Sequence, residues 1–303
     1  VKFCTDTFDT VTIILKSASG EDCSMDKNSW KRDKLRPTQP FFVLDSDEFL
    51  QLSYRHMGIS HFYNIKKKAS HPIRTIPDGC IDFIFSYGKK GFSAVVSGTP
   101  LSVKESLMPD ATDIFGVRFM PGTRPEGLEI RLRDIIGARK DLEEEYKDIF
   151  DFHALAHSFD FRERIDIFLR EYGKIEMKKE KPFGKTALFR AVRNIIYKAD
   201  GQIRVSDLSD ITGYSERYIR EVFMDEMGFS PKTFCDILRF QRTIEFINYG
   251  YDEKTADWVS DLGYYDQSQC IRDFKKYAGL TPRCYKKLVT EGHYRERVRN
   301  IEE

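Results

Sequence analysis

The sequence predicts an α+β protein in two domains, a β-rich amino-terminal half with trailing helices followed by an all-α carboxy-terminal domain. Two observations carry the prediction. Residues 71–120 hold short β-branched and aromatic runs separated by turn residues, whereas residues 205–287 state one helical unit twice. At 303 residues the chain is long enough for two buried cores.

Bulk properties narrow the setting. Net charge is +1, and the six cysteines form no CxxC pair and no zinc-ligand spacing, which points to a reduced, cytoplasmic protein. No apolar run approaches the length of a membrane span and no signal-peptide pattern is present, so membrane insertion and export are not expected.

Taken in order, the chain opens with TVTIILK, Thr10–Lys16, which reads as a strand, and continues into a polar, turn-rich loop; Lys66, Lys67 and Lys68 read as a solvated turn. PIRTI, CIDFIFSY, SAVVSG and IFGVRFM then fit a sandwich or small barrel. Phe83, Phe85, Val95, Phe115 and Phe119 face inward in this reading, either packed as core or lining a pocket for a small ligand. Asp82 and Arg118 are either convergent polar groups of that pocket or residues of an exposed strand edge. Residues 126–150 and 161–173 have apolar residues at helical spacing. The stretch 174–185 lacks periodicity, contains Pro182 and Gly184, and reads as a linker. The resulting division is a regulatory domain over 1–173, the linker, a helical domain over 186–290, and a charged tail over 291–303 that frays.

The helical domain opens near Thr186 with Phe189, Val192 and Ile196 inside. Its repeat aligns Gly213 and Tyr214 with Gly263 and Tyr264. After a one-residue insertion in the turn, Phe223, Gly228 and Pro231 align with Phe274, Gly279 and Pro282. Each copy is a short helix, a glycine turn and a second helix, the helix-turn-helix layout. Leu208 and Ile211 take the inner side of the first helix, and Ser215 and Asp266 cap the second helices. Ile219, Val222 and Phe223 in one copy, and Cys270 and Phe274 in the other, form the buried stripe. That phase leaves Arg217, Arg220 and Glu221, and then Gln267, Ser268, Ile271 and Arg272, pointing outward. Arg, Gln and Ser read base edges by hydrogen bonds. Gly228 and Gly279 stop these helices, and Ser230-Pro231 and Thr281-Pro282 start the next. A long helix from Pro231 to about Tyr249 joins the copies.

The patterns GYSxRYIRxxF (Gly213–Phe223) and GYxDQSxxIRxFKxxxGxTPxxY (Gly263–Tyr285) resemble the DNA-binding domain of the AraC/XylS transcription regulators over residues 187–290. PDGCIDFIF (Pro77–Phe85) and GVRFMPG (Gly116–Gly122) resemble the jelly-roll, cupin-like regulatory domain that precedes it in one branch of that family. The resemblance implies a DNA-binding transcription regulator, an activator or repressor, whose partners are double-stranded DNA, RNA polymerase, a second copy of the chain and a small organic effector. It places recognition contacts on Arg217, Arg220, Glu221, Gln267, Ser268, Ile271 and Arg272; beside them the basic cluster puts Lys275 and Lys276 on phosphates, and the strand pattern makes Asp82, Phe83, Phe85, Phe115 and Arg118 the candidate effector contacts. Control by a protein partner or by oligomerisation, without a small ligand, is the alternative.

Two points limit other classes. Residues 187–303 hold as many acids as bases, so phosphate binding requires segregation, and Arg272, Lys275, Lys276, Arg283, Lys286 and Lys287 do cluster around the second copy. No Walker loop, GxSxG or paired catalytic Cys and His appears, the histidines offer no cupin metal triplet, and His153 with His157 lacks the glutamate of a metalloprotease. No enzyme activity, metal or cofactor is expected.

Overall fold

The computed structural model describes residues 35–67, 71–106, 110–147, 149–178, 183–249 and 258–301. The strand expected at 10–16, most of the polar loop after it, Lys68, the middle of the linker and the start of the second copy lie outside the described residues. Among the described residues no helix is long and apolar enough to cross a membrane.

The amino-terminal half begins with a short helix, α1 (Pro40–Leu44), followed by β1 (Glu48–Ser53), β2 (Ile59–Lys66), β3 (Ile73–Thr75), β4 (Ile81–Gly88), β5 (Gly91–Gly98), β6 (Lys104–Ser106), β7 (Ala111–Phe119) and β8 (Arg139–Asp141). Its main sheet has the order β8-β5-β4-β7-β2-β1 with one further strand beyond β1, and β3 pairs with β6 as a separate ribbon. The last strand, β9 (Val298–Asn300), comes from the far end of the chain and runs parallel to β1. The tail therefore does not fray as the sequence suggested. Arg297 donates to the carbonyls of Leu44 and Ser46, and the Ile301 amide donates to Gln51 O at 2.7 Å, so the tail is stitched to the first domain.

Pleating separates the sheet's two faces. Phe62, Phe83, Phe85, Phe115 and Phe119 share one face and are covered by helix α4 (Phe161–Glu176), after the short helices α2 (Leu142–Tyr146) and α3 (His153–Ala156). Phe161, Ile165, Phe168, Tyr172 and Ile175 form the buried stripe of α4, and the Phe168 ring lies 5.9 Å from Phe62 and 6.1 Å from Phe85. Asp160 caps this helix. Buried Arg164 ties it to the sheet, donating to Asn64 Oδ1 at 2.9 Å and Asp113 Oδ2 at 2.8 Å. The apolar stripe of residues 161–173 is thus covered by its own domain.

Residues 126–150, read as helical, are α-helical only over Leu142–Tyr146. Gly127 and Gly137 adopt positive φ, a 3-10 turn spans only Leu132–Ile135, and Arg139–Asp141 pairs with β5 at the sheet edge. Helix α4 also runs further than the sequence suggested, to Glu176, and the next helix, α5 (Gly184–Lys198), begins at Gly184. The segment between the domains is correspondingly shorter than 174–185.

Candidate nucleic-acid interface

The first unit consists of α6 (Val205–Thr212) and α7 (Glu216–Met227). Gly213 lies between them at φ +73°, a conformation a Cβ would oppose, and Ser215 Oγ accepts from the Tyr218 amide at 3.3 Å. Helix α8 (Pro231–Tyr249) follows as a rod of 19 residues. The second unit repeats the plan with α9 (Trp258–Asp261), Gly263 at φ +77°, and α10 (Gln267–Ala278), whose cap Asp266 Oδ1 accepts from the Gln269 amide at 2.7 Å. Thr281 then caps α11 (Pro282–Glu291), and α12 (Tyr294–Arg297) precedes β9.

Both second helices are anchored on the rod by the repeated phenylalanine. Phe223 lies 5.6 Å from Phe234 and 5.1 Å from Phe189, and Phe274 lies 5.3 Å from Phe240 and 5.4 Å from Tyr285. The opposite faces stay open. Arg217, Arg220, Glu221, Gln267, Ser268, Arg272, Lys275 and Lys276 are exposed, and Ile271 is half-buried. Ile211, expected inside, is 60% exposed, because the eight-residue α6 buries Leu208 and turns Ile211 to solvent.

The candidate effector residues do not form one group. Phe83, Phe85 and Phe115 are packed in the aromatic core under α4, whereas Asp82 and Arg118 lie on the opposite face of β4 and β7, paired across the strands. Neighbours on a strand point to opposite faces, so Asp82 and Phe83 cannot line one pocket. Val95 likewise pairs with Ile84 and shares the Asp82 face. On that face a cavity of about 290 Å³ opens between the sheet and the β3–β6 ribbon, bordered by Asp78, Asp82, Thr99, Arg118 and Arg139. Fully buried Arg118 donates through Nε to Asp82 Oδ1 at 2.8 Å, and its Nη1 lies 3.4 Å from Asp78 Oδ2. Burial alone would lower the Arg118 pKa; Asp82 and Asp78 more than offset it and keep the guanidinium charged. Gly116 is required here: a Cβ would fall 1.9 Å from Cζ of the buried Tyr63 ring.

Residues 208–288 match the family model described as a helix-turn-helix domain, and residues 56–139 match one described as a domain of unknown function (DUF6597). The carboxy-terminal unit is an AraC-type helix-turn-helix domain. No curated protein matches the sequence. Solved structures of ToxT from Vibrio cholerae are similar. The form bound to an unsaturated fatty acid is 13% identical over 82% of this chain and 98% of that one, with a TM-score of 0.41. The form bound to (E)-4-(8-methylnaphthalen-1-yl)but-3-enoic acid is 11% identical over 80% of this chain and 100% of that one, with a TM-score of 0.39.

The AraC-type domain is seated on the first domain through both of the short motifs singled out in the sequence. Gly79 and Gly122, joined by a Gly122 N to Gly79 O bond of 2.7 Å, press on Phe234 of the rod. A Cβ on Gly79 would sit 2.9 Å from that ring. Gln241 of the rod is fully buried; its Nε2 donates to Pro77 O, and its Oε1 accepts from the Thr38 amide, both at 2.8 Å. Arg193 of α5 donates to Thr123 Oγ1 at 2.7 Å. Sequence reasoning missed this seam and one surface residue. Tyr265, the residue inserted in the second turn, is 94% exposed just ahead of the α10 cap. The break in the repeat offset was the signal that marked it.

Proposed function

We propose that this protein is a cytoplasmic transcription regulator that binds one DNA duplex through α7 and α10, which enter successive major-groove segments. The single observation that supports this reading best is the pair of capped helices on one rod, each anchored by its repeat phenylalanine and each turning polar side chains to solvent. Arg217, Arg220, Gln267, Ser268 and Arg272 are the base-reading candidates, with Lys275 and Lys276 on phosphates. A small organic effector in the Asp82–Arg118 cavity controls the regulator, and recruitment of RNA polymerase and pairing with a second copy belong to the same reading.

Selection of binding sites from random duplexes, followed by titration, tests it. Arg272→Ala is expected to cost about 1–3 kcal/mol on the selected site and to relax preference at one base pair. Lys276→Ala is expected to weaken all sequences alike and to reduce the salt slope by about one. Equal losses on selected and random DNA for Arg272→Ala would remove its base-reading role, and failure to enrich any sequence would remove the function.

A further inference from the structure

The cavity and the rod share one loop. Asp78 faces the cavity side: its carboxylate accepts from the Cys80 amide at 2.9 Å and from Gln39 Nε2 at 2.7 Å, besides its contact with Arg118. The amides of Asp78 and Gly79 both donate to Thr99 Oγ1, at 3.1 and 3.0 Å. On the other side of the same loop, Pro77 O holds Gln241 and Gly79 holds Phe234. One residue therefore borders the cavity while its neighbours carry the AraC-type domain.

The charges lining the cavity balance, three acids against three bases, but one cation away from the rim stands outside an ion pair. Arg118 is satisfied by two carboxylates, and the rim carries one residue of each sign, Lys104 and Glu105. Arg139 lines the same space, and among the described residues no carboxylate pairs with it. Burial lowers its pKa, with Tyr63 and Asp82 opposing the shift from a distance too long for an ion pair. A ligand that supplies one negative charge relieves this. Two negative charges would be opposed by Asp78 and Asp82 in the same wall. Ser97 and those carboxylates offer partners to hydroxyl groups.

We propose that the cavity takes a small hydroxylated monocarboxylate, its carboxylate on Arg139, and that occupancy is transmitted to the DNA-reading helices through Asp78, Gly79 and the rod. This inference rests on the effector reading above and adds the ligand class and the route. Binding and DNA affinity are then linked, so the factor by which ligand changes DNA affinity equals the factor by which DNA changes ligand affinity.

Calorimetry on the full chain with D-gluconate and D-galacturonate, with D-galactose as the neutral control and inorganic phosphate as the dianion control, tests the class. At least one acid is expected to bind saturably, and Arg139→Gln to weaken it about tenfold or more. DNA titrations with and without saturating acid test the route. Gln241→Met, which keeps the volume and removes both seam hydrogen bonds, is expected to leave acid binding little changed and to bring the effect of acid on DNA affinity close to none. Arg193→Leu, which unhooks Thr123, serves the same purpose if Gln241→Met does not fold. Absence of binding by either acid, binding of galactose or phosphate as tight as the acid, or indifference to Arg139→Gln overturns the ligand class. An effect of acid on DNA that survives both seam variants overturns the route. Galactose binding that shifts DNA affinity would sink this proposal while leaving effector control standing, and sequence selection by the unliganded protein stands or falls separately.

Discussion

The two helix-turn-helix units share their turns and anchors but not their surroundings. In the first, charged residues of the exposed α7 face are engaged in ion pairs within the protein. Arg220 pairs with Glu216, Lys185 Nζ lies 3.3 Å from Glu221, and Arg133 of the first domain lies 3.2 Å from Asp225. Gly228, which ends α7, rests against Ile136 and Arg133 so closely that a Cβ would fall 2.6 Å from Ile136. The equivalent Gly279 meets only Val103, at 3.1 Å. Among the described residues, Gln267, Ser268, Arg272 and Lys275 of α10 make no side-chain hydrogen bond or ion pair, and Lys276 leans on Tyr277 with Nζ 3.2 Å from its hydroxyl. The proposed reading therefore treats similar helices differently: on it α10 is free to meet DNA, whereas α7 would first exchange ion pairs within the protein for contacts with DNA.

The sharpest way to break this comparison is to attack what the units have in common. Phe223→Ala and Phe274→Ala each empty a fully buried site on the rod, so each is expected to lower stability by about 3–5 kcal/mol in urea unfolding. Comparable costs would show that the difference between the units lies on their surfaces. A cost below about 1 kcal/mol at either position would mean that the unit concerned is not held by its phenylalanine.

The rod supplies a second test, this time common to both units. Burial pushes the Glu245 carboxyl from its ordinary 4.5 up to about 7, with Arg242 opposing the shift. The folded state therefore binds this proton more tightly than the unfolded chain. The stability it contributes is complete below about pH 4.5 and is lost as pH rises through about 7. Glu245→Gln is expected to flatten the fall in urea midpoint across that window and to change DNA affinity at neither unit selectively. A fall of unchanged steepness in the variant would assign the pH dependence to other groups.

Much of this was legible in the residues, and the failures have identifiable causes. The caps Ser215, Asp266 and Thr281 and the left-handed Gly213, Gly228, Gly263 and Gly279 were readable because each residue type does one local job. The candidate effector residues misled for a different reason. Alternation along CIDFIF states that Asp82 and Phe83 face opposite ways, but nothing local states which face is closed by a helix and which by a ribbon carrying a cavity. Residues 126–150 have helical spacing, yet Gly127 and Gly137 break it at positive φ and Arg139–Asp141 finds a sheet edge. The tail strand Val298–Asn300 is too short and too polar to announce itself. It is created by a partner strand nearly the whole chain away, and long-range pairing leaves no local signature. The short motifs PDG and MPG were noticed without a role, because their role is to touch a helix in the other domain.

The smallest expected effect sharpens the comparison most. Glu221 is an acid on a surface proposed to meet phosphate, and it holds Lys185 at its side. Glu221→Gln removes the repulsion and leaves Lys185 paired with Asp225 alone, so binding to every sequence is expected to strengthen a few-fold at low salt, an advantage that fades as salt screens it. A carboxylate can instead accept from cytosine N4, and then the same variant would weaken only selected sites and relax one position. Salt titrations on selected and random duplexes separate these outcomes. If the gain is uniform, α7 is an electrostatically restrained partner to α10; if the loss is sequence-selective, α7 reads bases despite its ties, and the contrast between the units is one of regulation alone.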